Sequence, residues 1–193
     1  MLTVYNERGV TMPKKENQRV ILTKRLLKEA FLEMFKTTPI DKIHIRTLCE
    51  NAGINRSTFY KYYNSPMDLL EEMENEMLLL VEQELQKCHS LGSSLITICI
   101  YLENNIETAR LIINNNASGD FHKKLFNLPS LRNLISARLD GFSEIEKTYI
   151  TSFITTGYYQ MFKDWVNKDD REPINDMVKL VMSLHAAFTA KDK

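Results

Sequence analysis

Apolar residues recur along the chain at steps of three and four, and that spacing matches one face of an α-helix. From Asn17 to Phe35 the apolar positions Val20, Leu27, Ala30, Phe31, Met34 and Phe35 form one stripe, with Arg19, Lys24, Arg25 and Lys28 around it. Pro39 stands just beyond, after a Thr37-Thr38 pair suited to an extended exit. Ile45 to Ala52 then predicts about two helical turns. Gly53 sits where a C-cap glycine belongs, because a left-handed residue without Cβ carries no steric penalty. Asn55 is placed to cap a second short helix running to about Tyr62.

Ser65-Pro66-Met67-Asp68 is the clearest start signal: a serine cap, proline in the first helical position and an acid in the first turn. The long helix it opens carries Leu69, Leu70, Met73, Met77, Leu80, Val81, Leu85 and Cys88 on one face. Glu71, Glu72, Glu74, Glu76, Glu82 and Glu84 crowd the other, and this run is expected to be a solvated face and not a metal site. Leu91-Gly92-Ser93 reads as a break. Shorter helices are expected over 93–104, 106–115, 119–126 and 130–139. Two longer ones close the chain, one through Ile150, Phe153, Ile154, Gly157, Tyr158, Met161 and Trp165. The other follows Pro173, through Ile174, Met177, Val178, Val181, Leu184, His185 and Phe188.

Composition narrows the class. With 44% hydrophobic and 26% charged residues in 193, a buried core is within reach and wholesale disorder is not expected. Six glycines and five prolines are too few for the corners of an all-β fold. Cys49, Cys88 and Cys99 form no Cys-x-x-Cys, so neither a disulfide framework nor a zinc knuckle is expected, only reduced thiols in a helical core. The longest apolar candidate, Leu91 to Leu102, falls short of the ~18 residues a membrane helix needs. Met1 to Pro13 has no apolar core and no cleavage site, so residues 1–16 are expected to be a loose polar tail and the protein cytoplasmic.

The net charge of zero conceals a polarity. Residues 1–66 hold 12 Lys+Arg against 6 Asp+Glu, whereas residues 67–193 hold 13 against 19. A basic first third suits a polyanionic partner. Enzymatic chemistry has no matching constellation. The four histidines (His44, His89, His122 and His185) show no metal-ligand spacing, and there is no nucleophile elbow, phosphate loop or dinucleotide fingerprint. Asp169-Asp170 lies in a polar loop with nothing to push the two pKa values apart. No catalytic residue, metal or cofactor is therefore expected.

One constellation stands out, between Ile43 and Leu70. Ile45, Leu48 and Cys49 face inward from the first short helix, Ala52 is small enough for a close crossing, and Ile54 and Phe59 pack beneath the turn. That leaves Arg46, Thr47, Asn55, Arg56, Ser57, Thr58, Tyr60, Lys61 and Tyr62 outward, none of them acidic. Short polar, aromatic and cationic side chains on two short helices fit a helix-turn-helix that reads the major groove and holds phosphates beside it. The same pattern also fits an ordinary helical hairpin that happens to lack acids.

This segment resembles the DNA-binding domain of TetR-family transcriptional regulators, through Ile43, Ile45, Leu48, Ala52-Gly53-Ile54, Asn55, Thr58-Phe59-Tyr60, Tyr62-Tyr63 and Asp68-Leu69-Leu70. The likeness runs from about Val20 to Leu70. A looser one, in a helix carrying Gly157 and Trp165 and a final helix led by Pro173, links the closing half to regulatory domains of a low-GC Gram-positive branch. Two positions depart from the family pattern: His44 stands where Thr or Ser usually caps the first short helix, and Tyr62 where His is usual.

The resemblance implies an all-α fold: a tail at 1–16, a helix-turn-helix DNA-binding domain at 17–64, and a helical regulatory and dimerisation domain at 65–193. It implies a homodimer on palindromic double-stranded DNA, a repressor released by a small-molecule effector. The last two long helices would form the dimer seam through Ile150, Ile154, Gly157, Met161, Met177, Val181, Leu184 and Phe188. Tyr101, Phe121, His122, Phe126, Tyr158, Tyr159, Phe162 and Trp165 are candidates to line an effector cavity, and equally to be core. The competing functions are a regulator on the same fold whose effector is a partner protein, and a helical enzyme.

Overall fold

A computed structural model describes residues 18–114, 121–137 and 139–190. Among them there are ten α-helices and no strand: α1 (Gln18–Phe35), α2 (Ile45–Ala52), α3 (Arg56–Phe59), α4 (Pro66–Leu85), α5 (Leu91–Asn104), α6 (Ile106–Asn114), α7 (Phe121–Phe126), α8 (Pro129–Ser136), α9 (Glu144–Asn167) and α10 (Ile174–Thr189). A single 3-10 turn, Ile40–Lys42, follows Pro39. The tail expected at 1–16 lies outside the described residues, as do residues 115, 119, 120 and 138 of the expected shorter helices.

The chain divides into two compact units, Met1–Pro66 and Met67–Lys193. In the first, α2 packs on both α1 and α3. Leu27 and Phe31 from α1, Leu48 from α2 and Phe59 from α3 are fully buried, and this small core fixes the mutual angles of the three helices. Cys49 and Ala52 complete the inner face of α2, as their spacing predicts.

In the second unit α10 packs on α5 and α9, and α6 on α9. Trp165 is buried, and its indole N–H donates to the carbonyl of Glu172 at 2.8 Å, which folds the 168–173 loop back under the end of α9. The Arg110 guanidinium of α6 donates to the carbonyls of Val166 (2.8 Å) and Lys168 (3.1 Å) and reaches Asp169 at 2.9 Å. It thereby satisfies carbonyls that a helix C-terminus leaves without intrahelical partners.

Three sequence expectations need correction. The expected break at Leu91-Gly92-Ser93 is the first turn of α5. Ser90 Oγ accepts from the Ser93 N–H at 3.1 Å and Ser93 Oγ accepts from the Ser90 N–H at 3.2 Å, a reciprocal cap that offsets the glycine. On α4, Leu80 is 48% exposed although its spacing puts it on the apolar face, and Cys88 lies beyond the end of the helix. The acidic face of α4 is not uniformly solvated either. Glu74 is fully buried, and Glu82 accepts from the Ser130 hydroxyl (2.8 Å) and backbone N–H (3.3 Å) at the start of α8.

Candidate nucleic-acid interface

The first unit presents its polar side chains around one turn. Gly53 adopts φ 65°, ψ 28°, the left-handed region. Its N–H bonds back to Glu50 O at 3.2 Å, and the Ile54 N–H bonds to Cys49 O at 2.9 Å. This pair of bonds is a Schellman closure, and it reverses the chain so that α3 starts two residues later. Asn55 is extended at the start of α3, and its carbonyl accepts from Thr58 N–H (2.8 Å) and Phe59 N–H (3.1 Å). Its side chain makes no capping bond, contrary to expectation, and stays exposed. Helix α3 is a single turn. Bonds from Tyr62 N–H and Tyr63 N–H to Phe59 O carry the chain on in hydrogen-bonded turns.

Phe59 anchors this segment. It is fully buried, meets Tyr60 edge-on at 5.7 Å, and meets Tyr63 at 5.6 Å. With that ring held inward, Arg56, Ser57, Tyr60 and Lys61 are exposed, while Thr58 and Tyr62 are half-buried. Tyr60 keeps half its surface in solvent, well above what a ring of its size keeps in a packed core. One cleft is lined together by Arg19 and Thr23 of α1, Gly53, Asn55, Thr58, Lys61 and Tyr62. Residues of α1 therefore join the candidate face. Arg19 was legible from its place beside the α1 stripe, but its joining α3 depends on tertiary packing.

Helix α2 is less open than its sequence implies. Arg46 and Thr47 are exposed, but so is Glu50, one turn further on, and it takes the Arg46 Nε at 2.9 Å. This hydrogen bond, and then the charge of Glu50, raises the Arg46 pKa. The outward face of the two short helices thus contains one acid. Arg46 is not a free cation, because it must exchange carboxylate for phosphate to engage a polyanion. Burial pushes the Cys49 thiol up against the opposing pull of Arg56, so this cysteine is a packing residue.

The other expected sites are only partly brought together. On α9 and α10, Ile154, Met177 and Val181 are buried inside the protomer and belong to its core, so they are removed from the expected seam. Ile150, Met161 and Leu184 are half-buried, whereas Gly157 and Phe188 are exposed. The outward apolar stripe is a different one: Ile145, Tyr149 and Phe153 on α9, with Leu180 and Phe188 on α10. Phe153 and Phe188 meet edge-on at 4.8 Å across the two helices. Of the cavity candidates, Phe121, Tyr158, Phe162 and Trp165 are buried, and Tyr101, His122, Phe126 and Tyr159 are half-buried. The Tyr158 hydroxyl lies 2.7 Å from His185 Nδ1, and burial pushes the phenol up to about 12. Tyr158 and Trp165 thus use their polar atoms within the protomer.

A three-helix unit closed by a left-handed glycine turn, followed by an all-helical unit, defines a helix-turn-helix regulator. Residues 90–185 match the TetR family model described as a transcriptional regulator C-terminal region. The fold is similar to that of a TetR transcriptional regulator from Streptococcus agalactiae 2603V (TM-score 0.70, 19% identity, 87% of this chain and 96% of that one). It is also similar to the dihydroxyacetone kinase operon activator DhaS (0.59, 18%, 86% and 96%). A TetR/AcrR-family regulator from Thermobifida fusca YX-ER1 shares it too (0.54, 15%, 92% and 100%). No curated protein matches the chain. Over residues 90–185 the chain matches the TetR family, and it has the fold of a TetR-type transcriptional regulator.

Proposed function

We propose that this regulator is a homodimeric repressor, which grips a palindromic operator through the face built on α3 and leaves it when an effector binds the second unit. The observation that carries the proposal is the exposed set Arg56, Ser57, Tyr60 and Lys61, held outward by buried Phe59 and flanked by Arg19 and Asn55 in one cleft. Cations and hydroxyls in that arrangement suit phosphates, and Arg56 and Lys61 are also equipped for guanine O6 and N7. His44, exposed at the start of α2, and Thr47 extend the same face.

Dimerisation is supported by the stripe of Ile145, Tyr149, Phe153, Leu180 and Phe188. Each is at least 44% exposed, and Phe153 and Phe188 meet across α9 and α10, so the two helices turn large apolar side chains outward where a partner copy could cover them. Gly157, also exposed, has open space where a Cβ would stand, so a partner helix can approach closely there. Two copies related by a twofold axis present two reading heads to two half-sites. An effector weakens binding only by its preference for the DNA-free conformation.

The test is selection of bound genomic fragments by the full-length protein, followed by gel shifts across a salt series. The expected result is a complex whose affinity falls steeply with salt and is lost in a Tyr60→Ala/Lys61→Ala variant that keeps its helical content. A salt-insensitive complex, or an unchanged variant, overturns the assignment.

A further inference from the structure

We infer that the outward face of α1 is a contact between neighbouring copies on DNA, through which one bound dimer helps the next to seat beside it. This adds cooperative filling of adjacent sites to the DNA-binding reading above, on which it rests.

Among its described residues the first unit exposes three large apolar side chains: Ile21, Leu22 and Tyr60, each with about half its surface in solvent. Tyr60 belongs to the candidate interface. Ile21 and Leu22 line neither of the clefts around the α2–α3 turn. Helical spacing puts them on one face with Arg25 and Glu29, opposite the buried Leu27 and Phe31. All four are exposed, and half-buried Leu32 continues the same face.

Charge selects the occupant. Arg25 Nε and Glu29 Oε1 are 3.6 Å apart, with most of each side chain in solvent. A charge-assisted hydrogen bond is ~2.8 Å long, so the pair is not closed within the helix. One cation and one anion a turn apart make a face that matches a copy of itself. When two α1 helices cross antiparallel, the register that sets Arg25 of one opposite Glu29 of the other also sets Glu29 opposite Arg25. The same register sets Leu22 opposite Leu32. Such reciprocity is what a twofold axis between copies requires. A partner of one charge sign, DNA included, would oppose one member of the pair with a like charge.

Size selects the place where the contact acts. Two aliphatic side chains and one ion pair from each copy fall far short of the ~800 Å² per partner that a stable interface buries, so free dimers do not associate through it. Dimers on adjoining sites differ, because DNA holds them together at an effective concentration in the millimolar range. Helix α1 is positioned for this. Arg19 and Thr23, in its first turns, line a cleft with Asn55 and Lys61 of the candidate interface, so its outer face is carried to the duplex with that interface. The reading heads within one dimer stand about 34 Å apart, one turn of DNA, which leaves the adjoining dimer as the copy that α1 meets.

The experiment uses the full chain in gel shifts on duplexes with one operator and with two in tandem, the operator coming from the fragment selection above. The spacer between the two is lengthened one base pair at a time. On tandem sites the second dimer should bind about tenfold tighter than on a lone operator, with maxima every ~10.5 base pairs of spacer. Leu22→Glu should fill the two sites independently while keeping the native melting temperature and lone-operator affinity. Arg25→Glu and Glu29→Arg should each lose the tenfold gain, and the two together should regain it, because the reciprocal pairing returns. Taking each tandem affinity relative to the lone operator cancels the general effect of these charges on DNA binding. Independent filling by the native chain at every spacing overturns the inference, as does cooperativity that survives Leu22→Glu or that the double exchange fails to recover. A salt-sensitive complex on the lone operator without cooperativity removes the α1 contact and leaves the DNA-binding assignment standing, whereas no complex on the lone operator removes both.

Discussion

Gly53→Ala isolates the turn on which the candidate interface depends. At φ 65° an added Cβ meets nothing within 4 Å, so the substitution creates no clash and its cost is conformational. Holding a non-glycine residue in the left-handed region costs about 1–2 kcal/mol, and alanine's smaller freedom in the unfolded chain returns about 0.4–1 kcal/mol. The net destabilisation is ~1 kcal/mol, a roughly fivefold rise in the unfolded-to-folded ratio of the first unit. Gly53→Asn should lose less, because asparagine tolerates this region better. The assay is amide hydrogen exchange at Ile54, Phe59 and Tyr63, whose N–H groups bond to Cys49, Asn55 and Phe59 carbonyls. Their exchange should accelerate by about fivefold in Gly53→Ala. Fluorescence of Trp165, the single tryptophan and part of the second unit, serves as the control. If alanine leaves these amides as protected as glycine does, or protects them better than asparagine does, the left-handed closure is not what holds α2 to α3.

Glu50→Gln should tighten operator binding several-fold and steepen the salt dependence by roughly 0.9 in log–log slope, because Arg46 becomes one more phosphate-neutralising cation; a flatter slope in gel shifts contradicts that role. Tyr158 makes alkaline stability measurable. Its folded pKa of about 12 lies above the ordinary value of 10, so between those pH values the unfolded state binds fewer protons. Stability should fall across that window by at most ~2–3 kcal/mol through this group, and Tyr158→Phe should show a shallower decline in denaturant titrations at pH 10 and 12. Phe153→Glu should convert a dimer to a monomer in sedimentation without unfolding the protomer, since the ring is 60% exposed. A Phe153→Glu chain that sediments as the native one does would place the seam elsewhere.

Helical period was sufficient where one apolar face is covered by neighbours close in sequence. Leu27, Phe31, Leu48 and Phe59 are buried as their spacing predicts, and Gly53 closes α2 for the reason its lack of a Cβ implies. Spacing carries less where a helix has apolar residues on more than one face. Along α9, Ile154 and Phe153 are consecutive and both large, yet one is core and the other is 60% exposed. A period of 3.6 gives the direction of each side chain relative to its own helix, not which direction the rest of the fold covers. The expected dimer seam was therefore a mixture of the buried stripe and the outward one.

Charge is harder to place than apolarity for a related reason. Six glutamates from Glu71 to Glu84 read as one solvated run because each is judged by its sequence neighbours, all of which are on α4. What separates them lies about fifty residues away. Lys124 on α7 meets Glu74, and the backbone N–H and hydroxyl of Ser130 at the start of α8 donate to Glu82. A helix N-terminus and an ammonium can each hold a carboxylate away from water at modest cost, and this unit brings one of each to α4. The residues that tie α4 to α7 and α8 are thus the same acids that composition assigns to solvent. A polar contact of this kind survives in a buried setting only if both partners stay in register, so Glu74 and Glu82 couple the position of α4 to that of the two helices beside it. Substituting Glu82 by Gln keeps the volume and one acceptor, and should loosen α8 more than α4. Greater exchange at Ser130 and Leu131 than at Met77 and Val81 would mark α8 as the dependent element, and the reverse order would show that α4 is held by α8.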